Sequence, residues 1–295
     1  MLYSMTGYGK ATTVLADRVI NTEIRSVNSK TLDLLVRLPH GCKNREAGLR
    51  KFLTEQLQRG KVEVVINIEE QPNTTAKHYS LNSTLIIAYY RDLSKLCAEL
   101  NIPAGAHLLN TIMALPDVAQ PIVTELTEEE WQPIEANVVK ALEVFAKFRL
   151  TEGEALEADL QNSIDQIRKH LQHVEIAAPR RIAQTRTRIK QQIEELLQPE
   201  NYDPNRFEQE LLYYLEKIDI NEEIIRLKSH CDYFVRELND GEDIAKGKTL
   251  NFIAQELGRE INTIGSKAYD VLIQTHVIQM KAELEKIKEQ VLNVI

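Results

Sequence analysis

The strongest constraint on the fold of this chain is a helical repeat of apolar residues in two stretches near its end. Residues 219–238 and 250–274 place apolar side chains at three- and four-residue intervals, the spacing that lines one face of an α-helix. The apolar faces are Ile220, Ile224, Leu227, Cys231, Phe234 and Leu238 in the first stretch, and Leu257, Ile261, Ile264, Ala268 and Leu272 in the second. The sequence therefore predicts two amphipathic helices.

A polar stripe follows each predicted helix at the same spacing. Its members are Asp219, Glu223, Arg226, His230, Tyr233 and Glu237 in the first helix, and Glu256, Glu260, Thr263, Lys267, Asp270 and Gln274 in the second. A short connection favours antiparallel packing, so the two stripes are expected to border one cleft. Carboxylates beside a histidine suit a hard divalent cation or general acid–base chemistry. A solvent-facing side with ion pairs one turn apart has the same spacing, so periodicity leaves both interpretations open.

The apolar repeat also occupies residues 152–197, upstream of these two helices. It continues for most of that length with few glycines, which predicts one or two long helices that form an arm or a hairpin. Pro179 is expected to kink or split this run, because proline removes a helical hydrogen bond.

The first 70 residues change to a two-residue alternation, which is typical of half-buried strands. Residues 18–38 read as a pair of strands with a bend or bulge at residues 28–30, and residues 61–69 read as a further strand. Residues 44–58 form a predicted amphipathic helix between them. Glu23, Arg25, Lys61 and Glu63 give the sheet a charged face, which is either solvent-facing or a binding surface.

These patterns predict an α+β fold. An N-terminal domain over residues 1–150 combines a small β-sheet with flanking helices. A long helical arm or hairpin over residues 151–200 leads to a mainly helical C-terminal domain over residues 201–295, which carries the polar stripes.

Composition excludes several classes of protein. With 43% hydrophobic and 27% charged residues, the chain resembles a soluble globular protein, and no apolar run is long enough for a membrane helix. The N-terminus lacks the pattern of a signal peptide. The three cysteines, Cys42, Cys97 and Cys231, are widely spaced, so free thiols in a reducing cytoplasm are expected.

Charge argues against a nucleic-acid binder that relies on overall positive charge, because the net charge is −8. The distribution is uneven, however. Residues 18–61 hold ten basic and four acidic side chains, and Arg180, Arg181, Arg186, Arg188 and Lys190 form a second basic cluster. Such regions can bind phosphate locally, although charge scattered around ordinary strands and helices gives the same pattern.

Several long strings resemble the YicC/YloC family of bacterial proteins, and they are spread over the whole chain. They are SMTGYG at 4–9, E-x-RSVN at 23–28 with Leu32–Asp33, GKVEV at 60–64, FRLTEGEAL at 148–156, AP at 178–179, KIDINEEIIRLKSH at 217–230, GKTLNFIAQELGREINTIGSK at 247–267, Asp270, and ELEKIKEQVLN at 283–293. Asn251, where the family pattern has an aspartate, Lys30 and Tyr269 depart from that pattern. None of these departures falls on the polar stripes.

The resemblance implies a metal-dependent endoribonuclease that cleaves single-stranded or structured RNA, such as small RNAs, and assembles into a homo-oligomeric ring, typically a hexamer. It also implies a divalent cation, Mn²⁺ or Mg²⁺, as cofactor. An RNA-binding ring or adaptor protein without chemistry of its own is the alternative, and a purely structural oligomer is a third interpretation.

Under the nuclease interpretation, the polar stripes supply the site residues. The expected metal ligands are Glu223, His230, Glu256, Glu260 and Asp270. The expected catalytic residues are His230, Glu256, Glu260 and Lys267. The expected RNA contacts are Arg25, Asn28, Arg37, Lys61, Arg226 and Arg259. His230 as a general acid–base would accompany attack by the RNA 2′-hydroxyl and a cyclic phosphate product, whereas metal-activated water usually leaves a 5′-phosphate.

Overall fold

The computed structural model of the protein describes residues 2–39, 41–70, 79–101, 103, 105–121, 126–196, 203–240 and 246–295. The strands in these ranges are β1 (Gly7–Val14), β2 (Arg18–Val27), β3 (Leu32–Arg37), β4 (Gly60–Glu70), β5 (Tyr79–Leu81) and β6 (Ala119–Pro121). The helices are α1 (Glu46–Gln56), α2 (Ser83–Glu99), α3 (His107–Met113), α4 (Glu128–Leu196), α5 (Pro204–Ile218), α6 (Asn221–Asn239), α7 (Lys246–Ala268) and α8 (Val271–Val291). The predicted α+β class is confirmed.

The N-terminal strands form a four-stranded sheet in the order β1-β2-β4-β3. The predicted strands around the bend at 28–30 are both present, but they are not neighbours, because β4 lies between them. The crossover through α1 brings the chain back beside β3 in the same direction, and β3 and β4 therefore pair in parallel. Ile24, Val62 and Val64 face a core that α1 and α4 complete.

Helix α4 is a single helix of 69 residues, which corresponds to about 100 Å at 1.5 Å per residue. Its early turns, including Trp131 and Phe145, pack on the sheet, whereas residues from Leu156 to Ala178 belong to a second core with the C-terminal helices. Pro179 was expected to kink or split this run, and the split is not found, because α4 continues through Pro179. The helical arm is therefore not a hairpin, and the boundary predicted at residue 150 lies inside α4, between the two cores.

Helices α6, α7 and α8 bury their apolar faces in one core with α4. Helices α6 and α8 pack on α4, and α7 packs on α6 and α8. All six predicted apolar residues of α6 are buried, and so are four of the five predicted after residue 250. The fifth, Leu272, is exposed, because the stretch predicted as one helix is divided between α7 and α8. Tyr269 adopts a left-handed conformation with φ of 41°, which ends α7. None of the described helices is long and apolar enough to cross a membrane.

A buried arginine joins α4 and the N-terminal segment to the sheet. Arg149 of α4 is 6% exposed and donates hydrogen bonds to the carbonyl oxygens of Met5 (3.1 Å) and Arg59 (3.1 Å) and to the hydroxyl of Ser26 (3.4 Å). Its guanidinium lies 4.6 Å from the centre of the Phe145 ring. Burial lowers the pKa of Arg149 to about 10. These contacts bring together segments that are far apart in sequence.

The N-terminal segment lies directly on α4 at Gly153, where a β-carbon would overlap the backbone of Leu2. Gly153→Ala is therefore expected to lower the free energy of unfolding by about 1–3 kcal/mol, the usual cost of overpacking. Chemical denaturation of the two proteins measures this difference.

Gly48 provides the matched control for this substitution. It lies within α1, and a β-carbon there would meet nothing within 4 Å. Gly48→Ala is expected to raise the free energy of unfolding by about 0.5–1 kcal/mol, because alanine loses less backbone entropy in a helix. Equal effects at the two positions would contradict the close approach at Gly153.

Candidate active site between two C-terminal helices

Helices α6 and α7 are antiparallel neighbours, as their polar stripes predicted. Lys267 in the last turn of α7 contacts Glu223 in the first turn of α6. At the opposite end, the buried Lys246 in α7 donates a hydrogen bond to the carbonyl oxygen of Leu238 in α6 (3.4 Å). The two helices are therefore antiparallel, and the described contact between their polar stripes is the one between Glu223 and Lys267.

The Glu223–Lys267 ion pair is the best-defined contact between the stripes. The lysine Nζ lies 2.7 Å from Oε1 of Glu223, and the glutamate residue is 5% exposed. Its other carboxylate oxygen, Oε2, is buried and has no hydrogen-bond partner among the described residues. A buried carboxylate oxygen without a partner loses its hydration without compensation, so this atom is available to a ligand.

Glu260 is the second carboxylate that is buried in the part of the chain that the structure describes, and it is also 5% exposed. It lies on α7 seven residues before Lys267, about 10 Å along the helix axis. It forms no hydrogen bond or ion pair with the described residues. Most of this side chain is covered, but its carboxylate oxygens are not among the described atoms that are buried without a partner, so they lie where water or a ligand can reach them.

The remaining predicted metal ligands are less closely associated with this pair. His230 and Glu256 are partly buried and have no hydrogen-bond partner among the described residues. Asp270 is the N-cap of α8, where its Oδ1 accepts a hydrogen bond from the backbone N–H of Ile273 (3.0 Å). Across the described ranges, no three His, Cys, Asp or Glu side chains are grouped closely enough to hold a metal ion. The five predicted ligands therefore do not form one shell within a single chain.

Four of the predicted RNA contacts already have partners within the chain. Arg25 pairs with Glu23 (2.7 Å), Arg37 with Glu63 (3.0 Å) and Arg226 with Glu222. Hydrogen bonds from Arg25 and Tyr8 lower the pKa of Glu23. The Asn28 amide donates to the carbonyl oxygen of Leu292 (2.7 Å), so it anchors the C-terminal segment.

Lys61 and Arg259 differ from the other predicted RNA contacts. Both are exposed, and neither has an ion-pair partner in the described ranges. The outer face of the sheet alternates in charge, because the register places Arg25 opposite Glu63 and Lys61 opposite Asp33. Lys61 and Arg259 are therefore the predicted contacts that remain open to a phosphate.

Arg181 corrects the interpretation of the second basic cluster. It is 4% exposed and donates hydrogen bonds to the carbonyl oxygens of Ala268 (2.7 Å) and Ile218. These carbonyls end α7 and α5, so Arg181 holds together the turns on either side of the Glu223–Lys267 pair. Burial lowers the pKa of its guanidinium. The sequence left this cluster open between phosphate binding and scattered charge, and only its position on α4 distinguishes Arg181 from the exposed Arg180.

Comparison with known proteins identifies the family of this fold. Residues 2–158 match the family model described as "Endoribonuclease YicC-like, N-terminal region", and residues 174–295 match "Endoribonuclease YicC-like, C-terminal". The chain belongs to the YicC-like endoribonuclease family. The N-terminal match ends at residue 158 and the C-terminal match begins at residue 174. Both positions lie within α4, the helix that both cores share. The stripe residues of α6 and α7 lie in the C-terminal region of the family.

Two relatives in the family cover essentially the whole chain. A protein of Clostridioides difficile named probable endoribonuclease YicC is 29% identical over 100% of both chains. A protein of Haemophilus influenzae with the same name is 32% identical over 99% of both chains. This chain is thus similar to those proteins over both of its cores.

Proposed function

We propose that this protein is an endoribonuclease, and that its chemistry takes place on the α6–α7 surface around Glu260 and the Glu223–Lys267 pair. The observation that carries the proposal is the presence of two largely covered glutamates on adjacent helices, since one oxygen of Glu223 is buried without a partner and Glu260 forms no hydrogen bond or ion pair with the described residues. Two relatives named probable endoribonuclease YicC support the reaction class.

A divalent cation, Mg²⁺ or Mn²⁺, fits the chemistry of these donors. Mg²⁺ typically binds through one or two carboxylates and completes its shell with water and substrate phosphates, so a larger group of protein ligands is not needed. Glu260 and Oε2 of Glu223 would be the protein ligands, with His230 and Glu256 as further candidates. Such an ion, when bound, supplies charge neutralisation at the scissile phosphate and lowers the pKa of bound water.

The side chains around the carboxylates have separate roles in this proposal. Lys267 is held by Glu223 with about a third of its side chain exposed, so its ammonium group can contact a phosphate oxygen of RNA. Arg259 is exposed on α7 and would extend this contact along the RNA backbone, and Arg226 on α6 would do so by exchanging its ion pair with Glu222 for a phosphate. His230 stands four residues after Arg226 on α6 and is a candidate for proton transfer to or from the RNA.

The proposal includes homo-oligomeric assembly, with a hexamer as the expected form, and a cytoplasmic location. The outer sheet face supports assembly, because Tyr8, Val27 and Leu35 are exposed there. Cys42 and Cys231 are buried free thiols, which suits a reducing compartment. Sedimentation of the purified protein measures the assembly.

Cleavage of a labelled, structured small RNA by the purified protein tests the function. Cutting with Mg²⁺ or Mn²⁺ that stops when a chelator is added is the expected result. RNA binding without cutting in any metal would overturn the nuclease proposal and favour an adaptor ring. Product ends then identify the nucleophile, because a 5′-phosphate indicates water and a cyclic phosphate indicates the 2′-hydroxyl.

A further inference from the structure

Three histidines meet where α4 packs on α8, and the proposed nuclease function uses none of them. The Nδ1 atoms of His170 in α4 and His276 in α8 lie 3.1 Å apart and share a hydrogen bond, whose donor depends on the tautomers of the two rings; a metal ion bound by both atoms would replace that proton. The rings of His276 and His173, also in α4, are stacked with their centres 4.8 Å apart and an angle of 11° between their planes. His170 and His276 are partly buried and His173 is exposed, so the three histidines border solvent.

The separation of the two Nδ1 atoms suits joint coordination of a metal ion. Imidazole nitrogen binds Zn²⁺ at about 2.0–2.1 Å. Two such bonds to nitrogens 3.1 Å apart enclose an angle of about 95–100° at the metal, between the octahedral and tetrahedral values. The His170 and His276 rings are tilted by 43°, so rotation about their side-chain torsions can direct both lone pairs to one point.

We propose that His170 and His276 form a binding site for a divalent transition-metal ion, such as Zn²⁺, Ni²⁺ or Cu²⁺, which links α4 to α8. Imidazole suits these metals, whereas carboxylate and water ligands suit Mg²⁺ and Mn²⁺. The site therefore selects a different class of metal from the one proposed at Glu260. Water completes the coordination shell on the solvent side.

The surroundings of the two histidines support the neutral, metal-binding form. Burial, and the neighbouring His173, lower the pKa of both His170 and His276. Lys169 acts in the same direction on His170, and the carboxylate of Glu283 opposes it. Because a ligand histidine must be deprotonated, these lowered pKa values keep the pair available at neutral pH.

His173 is excluded as a ligand by its stacking, and this makes it the matched control. The lone pairs of two nearly parallel rings lie in separate, nearly parallel planes, so those of His173 and His276 do not converge on one ion. His173→Ala therefore removes an imidazole from the same surface without removing a proposed ligand. The chain has seven histidines, and any of them could bind a metal ion weakly. The site is therefore assigned by comparing metal affinity among the variants, and not from metal binding by the wild type alone.

Copper titration of the full-length protein, followed by electron paramagnetic resonance and by competition with a chromophoric chelator, tests the site. The wild type is expected to show one site with coupling to two nitrogens. Even outer-shell partners of a metal-bound histidine are worth about 10–100-fold in affinity, so His170→Ala and His276→Ala are each expected to weaken binding at least tenfold. His173→Ala should retain the two-nitrogen signal and wild-type affinity.

Two results would overturn the proposal. The first is wild-type copper affinity in both His170→Ala and His276→Ala, and the second is an equal loss of affinity in His173→Ala. Thermal unfolding with chelator present confirms that each variant is folded before titration. None of these readouts depends on RNA cleavage, so the metal site and the nuclease proposal fail or succeed separately.

Discussion

Replacement of Glu260 by glutamine is expected to lower the rate of RNA cleavage about 100-fold or more. The substitution keeps the size of the side chain but removes the charge that the proposed chemistry needs. It is also expected to leave the free energy of unfolding unchanged or raised by about 1 kcal/mol, because a buried carboxylate without a partner among the described residues becomes neutral. Single-turnover cleavage and chemical denaturation of the same preparation measure the two effects.

Glu285→Gln is the matched control for this prediction. Glu285 is an exposed carboxylate on α8 that pairs with Lys288, and its replacement should change neither cleavage nor stability. Wild-type cleavage by Glu260→Gln would locate the chemistry elsewhere. Loss of cleavage together with a large loss of stability would instead indicate that Glu260 has a structural role.

Arg149→Ala is expected to lower the free energy of unfolding by at least about 3 kcal/mol. A hydrogen bond to a charged group contributes about 1.5–3 kcal/mol, and Arg149 forms three such bonds in a buried junction. Alanine leaves the carbonyl oxygen of Arg59 without its donor and removes the contact with the Phe145 ring. Urea denaturation measures the loss.

Lys147→Ala is the control on the same helix, because Lys147 is exposed and no ion pair of the described residues includes it. Its expected effect is within about 0.5 kcal/mol, as for most surface substitutions. Arg149→Lys separates charge from geometry, since lysine keeps the charge but cannot reproduce the planar fork of the guanidinium. Stability equal to wild type in Arg149→Ala would contradict the proposed role of this junction.

The helical patterns of α6 and α7 predicted more of the candidate site than any other part of the sequence. Apolar residues every three or four positions identify the buried faces because helix geometry is local and regular. The same periodicity placed Glu223 and Lys267 on the two polar stripes, and the structure brings these two side chains into contact. The periodicity wrongly predicted that Leu272 is buried. Helix α7 ends at the left-handed conformation of Tyr269, and a repeat of apolar residues does not indicate such a change at a single residue.

The charged residues outside the stripes were harder to assign. Arg25, Arg37 and Asn28 were predicted to contact RNA, and each has a partner in the folded chain. The partner of Asn28 is 264 residues away in sequence. Sequence spacing carries no information about such contacts, which depend on how distant segments pack.

The sequence by itself determined the α+β class, strands β2 to β4, helices α1 and α6, and the helical spacing of the polar residues, since all of these follow from local periodicity. The tertiary structure alone decided the order of the strands, the continuity of α4 between two cores, and which charges are buried. Many exposed residues of this chain are also arginine or glutamate, and only tertiary packing buries Arg149, Arg181 and Glu260. Burial is a property of the whole assembly of helices and strands, so it becomes visible once distant parts of the chain are in place.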